Sequence, residues 1–529
     1  MVVSTPILGI AVLAYLMVVF YFGWLGYKKT KNTDDYMLAG RKVNPFVLAF
    51  SYGAAFISTS AIIGFGGYAA AFGMGILWLV AMNIVVGIFI AFVIFGSRTR
   101  RMGFNLKAVT FPELIGKRFQ SRFIQGFSGA LITIFMPLYA GSVLIGGARF
   151  METVLGLEYN TAVLMLAIIV AAYVITGGLI AVMYTDALQG VLMFIGMGIL
   201  LVLTYSKLGG VTEAHQALTN MAPLVPANFA AIGHTGWTSM PAFGSPVWWT
   251  LVSTIILGVG IGVLAQPQLA VRFMTVESTK SLKRAVLSGG PFIFMMAGVA
   301  YIVGALSNVY FFDTQGMIAL DVAGGNIDKI MPEYINSAMP DYFVVFFLLT
   351  LLAAAMSTLS SQFHAMGTAF GHDFYRVGIM KGKIANTINI TRAGIAATII
   401  ISVVLAYILP PGIIARATAI FFGLCAAAFL PMYSGAIFWK RMTKEGAIAS
   451  LLVGTFSSLF WLTFVHAKEA SALGISQALF GKVTLLTGTW TVIDPILIAT
   501  PLAIIVAIAV SLMTEPEPKE HIELCFKRE

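Results

Sequence analysis

The chain has 529 residues, 59% of them hydrophobic and 10% charged, with a net charge of +10. A soluble chain of this length carries about a quarter charged residues, so this one reads as an all-α membrane protein. The apolar stretches run on for about 20 residues, where a membrane barrel would alternate over about 10, and the basic residues sit in short loops, which excludes a nucleic-acid binder.

Thirteen spans are predicted, at 7–27, 45–72, 75–96, 123–147, 160–183, 185–205, 247–270, 286–306, 341–369, 388–409, 412–438, 446–466 and 490–513. No basic residue precedes the first apolar run, so 7–27 is read as a true span and not a cleaved signal. Of the 32 Lys and Arg, 26 fall on one side of this arrangement, in the segments holding Lys28 to Lys42, Arg98 to Arg122, Arg272 to Arg284, Arg376 to Arg392, Lys440 to Lys444, and the tail. That bias places the N-terminus outside and the C-terminus in the cytoplasm, with the protein in the plasma (cytoplasmic) membrane. The outer segments 206–246 and 307–340 are expected to cover or gate a pathway. The chain is read as a single transmembrane domain. Its two cysteines, Cys425 and Cys525, imply no disulfide framework.

Spans 2 and 7 are interrupted in matching ways. Span 2 carries Gly53, Gly64, Gly66 and Gly67; span 7 carries Gly258, Gly260, Gly262 and then Pro267. They lie five spans apart and therefore run in opposite directions. Such a pair in two inverted halves points to a transporter site near the bilayer midplane, although glycines that let helices pack closely give the same pattern.

Span 9 contains AAAMSTLSSQ, with Ser357, Thr358, Ser360 and Ser361. Ser357, Ser360 and Ser361 share a helical face, and Thr358 stands about 100° round from Ser357. Hydroxyls together with carbonyls freed at a helix break, as at Ala54–Ile57, supply the hard oxygens a bare alkali cation needs. Bonding back to carbonyls of their own helix is the other reading. Asp186, in MYTDALQG between spans 5 and 6, is either a cation ligand or a cap for span 6.

Over nearly its whole length the chain resembles the solute:sodium symporter family, through YKKTKNTDDYMLAGR, LIGGARFMETVLG, YTDALQG, AQPQLAVRFM, AAAMSTLSSQ and AIFWKRMTKEGAIASLLVG. The resemblance implies a LeuT-like 5+5 inverted repeat over 45–205 and 247–438, with peripheral helices 7–27, 446–466 and 490–513. It implies Na+ as the coupling ion and a small organic solute as cargo, with no organic cofactor, in a protein that works as a monomer in the lipid bilayer. Carried over, one sodium site falls on the carbonyls of Ala54, Ile57 and Ala354 and the hydroxyls of Ser357 and Thr358. A second, known in some members, falls on Asp186, Ser357, Ser360 and Ser361, so two sodium ions per solute are expected.

Solute contacts are expected from Phe56, Thr59, Tyr139, Gln266 and Gln268. Phe56 stands where the family's proline carriers have an acidic residue, and Val259 and Val263 where they have Trp and Tyr. Among the family's branches the chain is most similar to the pantothenate carriers, through IGGARFMET, the second span and KAVTFPELIGKRFQSR, which implies a monocarboxylate or pantothenate-like acid as cargo, with proline as the alternative. Spans 2, 3, 7 and 9 are expected to move as a bundle. His364 and His372 read as packed residues, and Arg416 as snorkelling to the interface. A membrane sensor without net transport is the rival reading. An enzyme is not expected, since neither HExxH nor a nucleophile with a base partner is present.

Overall fold

A computed structural model of the chain describes residues 5–383 and 387–527. Their regular structure is all helical, with no strand among them. Eight single spans agree with the prediction: Thr5–Lys29, Met74–Asn105, Arg122–Leu155, Thr279–Gln315, Asp341–Ile379, Ile388–Ile408, Lys444–Phe464 and Ile496–Met513. These are spans 1, 3, 4, 8, 9, 10, 12 and 13.

Span 2 is two helices, Pro45–Phe56 and Ser60–Phe72, bent by 52°. Ile57 turns extended there (φ −91°, ψ 101°), which ends the first half. Span 7 runs over Pro246–Ala265 and then breaks at Gln266 (φ −68°, ψ 118°). The cause lies in the next residue. Pro267 has no N–H to continue the ladder and pushes the residue before it out of the helical region. Short helical turns over Pro267–Ala270 and Val271–Thr275 then continue the span. Span 11 bends by 43° between Ile414–Ala428 and Leu430–Phe438.

Spans 5 and 6 are covered by one helical stretch, Tyr159–Lys207, of 49 residues. At 1.5 Å per residue it would be about 73 Å long, more than twice the hydrocarbon thickness. Gly178 divides it with φ 59° and ψ −160°. The boundary between spans 5 and 6 thus falls at 178, several residues before the expected 183–185. Thirteen spans result among the described residues.

Packing shows which spans lie against one another. Span 9 lies along spans 4, 5 and 6. Gly196 of span 6 makes room for Thr350, and Gly147 of span 4 meets Ala355. Span 8 lies along span 2, where a Cβ on Gly304 would come within 2.1 Å of the Gly66 carbonyl oxygen, and span 9 also meets the first half of span 2.

The segments between spans 6 and 7 and between spans 8 and 9 cover one end of span 2. Trp237 is buried, and its Nε1 donates to the Ala70 carbonyl at 2.7 Å, while Asn308 donates to the same carbonyl at 2.8 Å. The helix Ile327–Ala338 abuts Gly67 so closely that a Cβ there would sit 2.1 Å from the Ile327 carbonyl oxygen.

Candidate sodium and solute sites

The last carbonyls of a helix have no backbone partner within it. At the end of the first half of span 2, the Ala54 carbonyl takes two hydroxyls from span 9. Ser357 Oγ donates to it at 3.0 Å and Thr358 Oγ1 at 3.1 Å. Ser357 Oγ also lies 3.3 Å from the Ala354 carbonyl. Ile57 stands at the break itself, its N–H still donating to Gly53 at 2.8 Å. All five residues of the first expected sodium set are buried. Hydroxyl and carbonyl oxygens from two spans therefore meet without a formal charge, a chemistry suited to a dehydrated alkali cation.

The second set is also brought together. Asp186 Oδ1 accepts from Ser360 at 2.9 Å; Oδ2 accepts from Ser361 at 2.9 Å and from Ser51 at 3.3 Å. Ser360 and Ser361 also reach the Ser357 carbonyl, each at 2.9 Å. Asp186 lies two turns inside span 6, well past Gly178. It therefore cannot cap that helix, and the neighbouring Thr185 bonds back to Ala181 at 2.9 Å.

An unexpected partner faces Asp186. Arg272, which the sequence reading places among the basic loop residues, is fully buried. Its Nη2 lies 2.8 Å from Asp186 Oδ2 and 2.5 Å from Ser361 Oγ. Nε donates to Ser51 at 3.2 Å, and Nη1 to the Gln268 carbonyl. The guanidinium neutralises the carboxylate and ties the far half of span 7 to spans 2, 6 and 9. A cation bound at Asp186 would have to share or displace that contact. The signal for Arg272 was its place five residues after Pro267, within helical turns that prolong the span.

The expected solute residues divide. Phe56, Tyr139 and Phe422 form an aromatic wall: Phe56 stacks on Phe422 with ring centres 6.3 Å apart, and Tyr139 meets Phe422 edge-on at 5.3 Å. Thr59 is already committed to span 4, donating to the Val143 carbonyl at 2.9 Å. Gln268 Nε2 donates to Gln266 Oε1 at 3.1 Å. Among the described residues, Gln268 Oε1 has no partner, the Gln266 amide has Cys425 as a neighbour, and both side chains are buried. The sequence reading did not single out Phe422, nor the hydroxyl chain Ser60–Ser142–Thr418, linked at 3.1 Å and 3.1 Å. Of the remaining candidates, His364 is packed, donating from Nε2 to the Tyr36 carbonyl at 3.0 Å, and His372 faces Glu113 at 3.4 Å. Arg416 does not snorkel freely but pairs with Glu469.

Two interrupted spans flanking buried oxygen clusters, in a bundle of thirteen, define a secondary transporter. The sodium:solute symporter family model matches residues 36–454. The chain belongs to that family and is a sodium-coupled solute symporter of the membrane. It is 28% identical over 445 residues to the high-affinity proline transporter PutP of Bacillus subtilis, covering 83% of this chain and 89% of that protein. It is 26% identical over 473 residues to the sodium/proline symporter of Escherichia coli, covering 88% and 89%. The structure of a Na+-coupled sialic acid symporter superposes with a TM-score of 0.75 at 18% identity, covering 96% of this chain and 98% of that one. That likeness establishes the fold, the LeuT-like architecture the resemblance implied.

Proposed function

We propose that sodium binds between spans 2 and 9, on the carbonyls of Ala54, Ile57 and Ala354 and the hydroxyls of Ser357 and Thr358, and drives uptake of a small amino or imino acid. The convergence of two span-9 hydroxyls on the Ala54 carbonyl at the break carries the sodium assignment. A cation there would bridge a broken span to a continuous one, so its arrival favours one arrangement of the two halves over the other.

Two observations support an amino or imino acid as cargo. The relatives named above carry proline, which weighs against the expected pantothenate-like acid. In addition, the Gln266–Gln268 pair leaves one carbonyl oxygen and several amide N–H groups over. That remains so if both amides are turned round, because each linked pair uses one N–H and one oxygen. A zwitterion offers a carboxylate to the donors and an ammonium or iminium N–H to the acceptor, whereas a monocarboxylate would leave the acceptor unmatched. The second reading, a monocarboxylate, is favoured by Phe56 and by the apolar Val263 packed near it beside Gly87. We further read the basic side as cytoplasmic and the protein as functional in one copy.

Uptake into proteoliposomes under an inward sodium gradient tests both parts. Labelled L-proline is expected to enter saturably and to be displaced by proline analogues but not by pantothenate; the opposite order of competition supports the monocarboxylate. Thr358→Ala and Ser357→Ala are each expected to weaken apparent sodium affinity at least about tenfold, the loss of one oxygen from the shell. Unaltered sodium dependence in both variants rejects the site.

A further inference from the structure

Gln362, on span 9, is fully buried, and neither its Oε1 nor its Nε2 has a partner among the described residues. Leaving a buried donor or acceptor unsatisfied costs the full desolvation of that group. Such a side chain in a transporter calls for a role in another step of the cycle.

Its direction follows from the helix. At 100° per residue, Gln362 stands about 40° round from Thr358 and one turn, about 6 Å, further along the span. The displacement is toward Ala355, which lies against Gly147 of span 4. Ser360 and Ser361 point the other way, to Asp186. Gln362 therefore faces the seam between the broken spans and span 4, on the side of Thr358 that leads to the basic end of the protein. The Asp186–Arg272 pair lies round the helix from it, so a cation leaving Thr358 toward Gln362 avoids the guanidinium.

We propose that Gln362 is the release station for the sodium ion held at Ser357 and Thr358. Its amide oxygen takes the cation as the Ala54 carbonyl gives it up, one turn nearer the cytoplasm. The amide suits the task because it is a hard oxygen with no net charge, strong enough to replace a water and too weak to retain the ion. The assignment rests on the first sodium site and on the cytoplasmic placement of the basic end.

The test separates release from binding in proteoliposomes, with L-proline, or the acid that displaces it, as the transported probe. Gln362→Leu is expected to leave the external sodium dependence within about twofold and to lower net uptake about tenfold. Solute exchange with saturating sodium on both sides, which needs no sodium release, should stay within about twofold. Gln362→Glu keeps the shape and adds a charge. It is expected to make uptake about tenfold more sensitive to inhibition by internal sodium. The Glu variant decides the matter if the Leu variant does not fold. Equal loss of net uptake and exchange overturns the proposal, as does unchanged inhibition by internal sodium in the Glu variant. Thr358→Ala run alongside reports on the first site by itself: if its sodium dependence is normal, the failure belongs to that site and not to Gln362.

Discussion

Removing one member of a buried ion pair leaves the other charge with nothing to face. Arg272 and Asp186 are both buried, with the nearer atoms 2.8 Å apart. Arg272→Gln is expected to destabilise the protein by about 3–5 kcal/mol, and Asp186→Asn by a similar amount. The double variant should lose clearly less than the sum. Thermal unfolding of the four proteins in detergent gives the coupling, and strict additivity would mean that the pair is not energetically linked. Glu113, in the loop helix Phe111–Arg118, gives a pH effect. Burial alone raises its pKa. The hydrogen bond and charge of His372 outweigh that, aided by Lys117 and the Val109 N–H, and bring it from the ordinary 4.5 to about 2. A carboxyl whose pKa is depressed on folding adds stability that is complete above 4.5 and is lost as the pH falls toward 2. Melting temperatures across that window should fall less steeply for Glu113→Gln than for the wild type.

Helix boundaries here have local causes with distant consequences. Gly178 takes a backbone conformation that L side chains rarely adopt, and a Cβ on it would come within 2.7 Å of the Tyr36 ring and 2.8 Å of the Tyr36 carbonyl oxygen. Gly178→Ala is expected to cost at least about 2 kcal/mol, from backbone strain plus the clash. A melting temperature unchanged from wild type would show that the turn between spans 5 and 6 does not need glycine. That turn also sets the register of span 6, and so the height at which Asp186 meets Ser360 and Ser361. Pro267 acts similarly on span 7, since the break at Gln266 frees the amide pair and the turns after it carry Arg272 inward.

Across the whole molecule, the charge moved per cycle depends on what Asp186 holds. A sodium ion gains about 2.3 kcal/mol per 100 mV, and a tenfold gradient adds about 1.4 kcal/mol. One sodium with a zwitterionic solute keeps both contributions, about 3.7 kcal/mol, enough for several-hundredfold accumulation. With Arg272 already neutralising Asp186, we expect one sodium and one positive charge per amino or imino acid, in place of the two sodium ions the sequence suggests. Parallel current and isotope fluxes in proteoliposomes measure this ratio directly. Two charges per solute would mean that Arg272 leaves the carboxylate during the cycle. If one charge moves, Arg272→Gln, where it folds, should raise the sodium Hill coefficient by freeing Asp186 for a second ion.

The spans, the matched breaks in spans 2 and 7 and the hydroxyl run on span 9 could be read from the sequence because their causes are local. Apolar length decides what crosses a bilayer, and Pro267 breaks its helix whatever lies beside it. The family motifs pointed to candidate sodium ligands, and the oxygens of Ala54, Ala354, Ser357 and Thr358 do meet. Other features were set only in three dimensions. Hydropathy is continuous through the turn at Gly178, so the boundary of span 6 and the non-capping place of Asp186 were hidden. The chain does not announce that Arg272 is buried, because a basic residue past a proline looks like a loop until span 7 is seen to continue. The contacts that give Asp186 its character join residues 86 and 174 positions apart. Only the packing of spans 2, 6, 7 and 9 brings those buried charges and hydroxyls within bonding distance of one another.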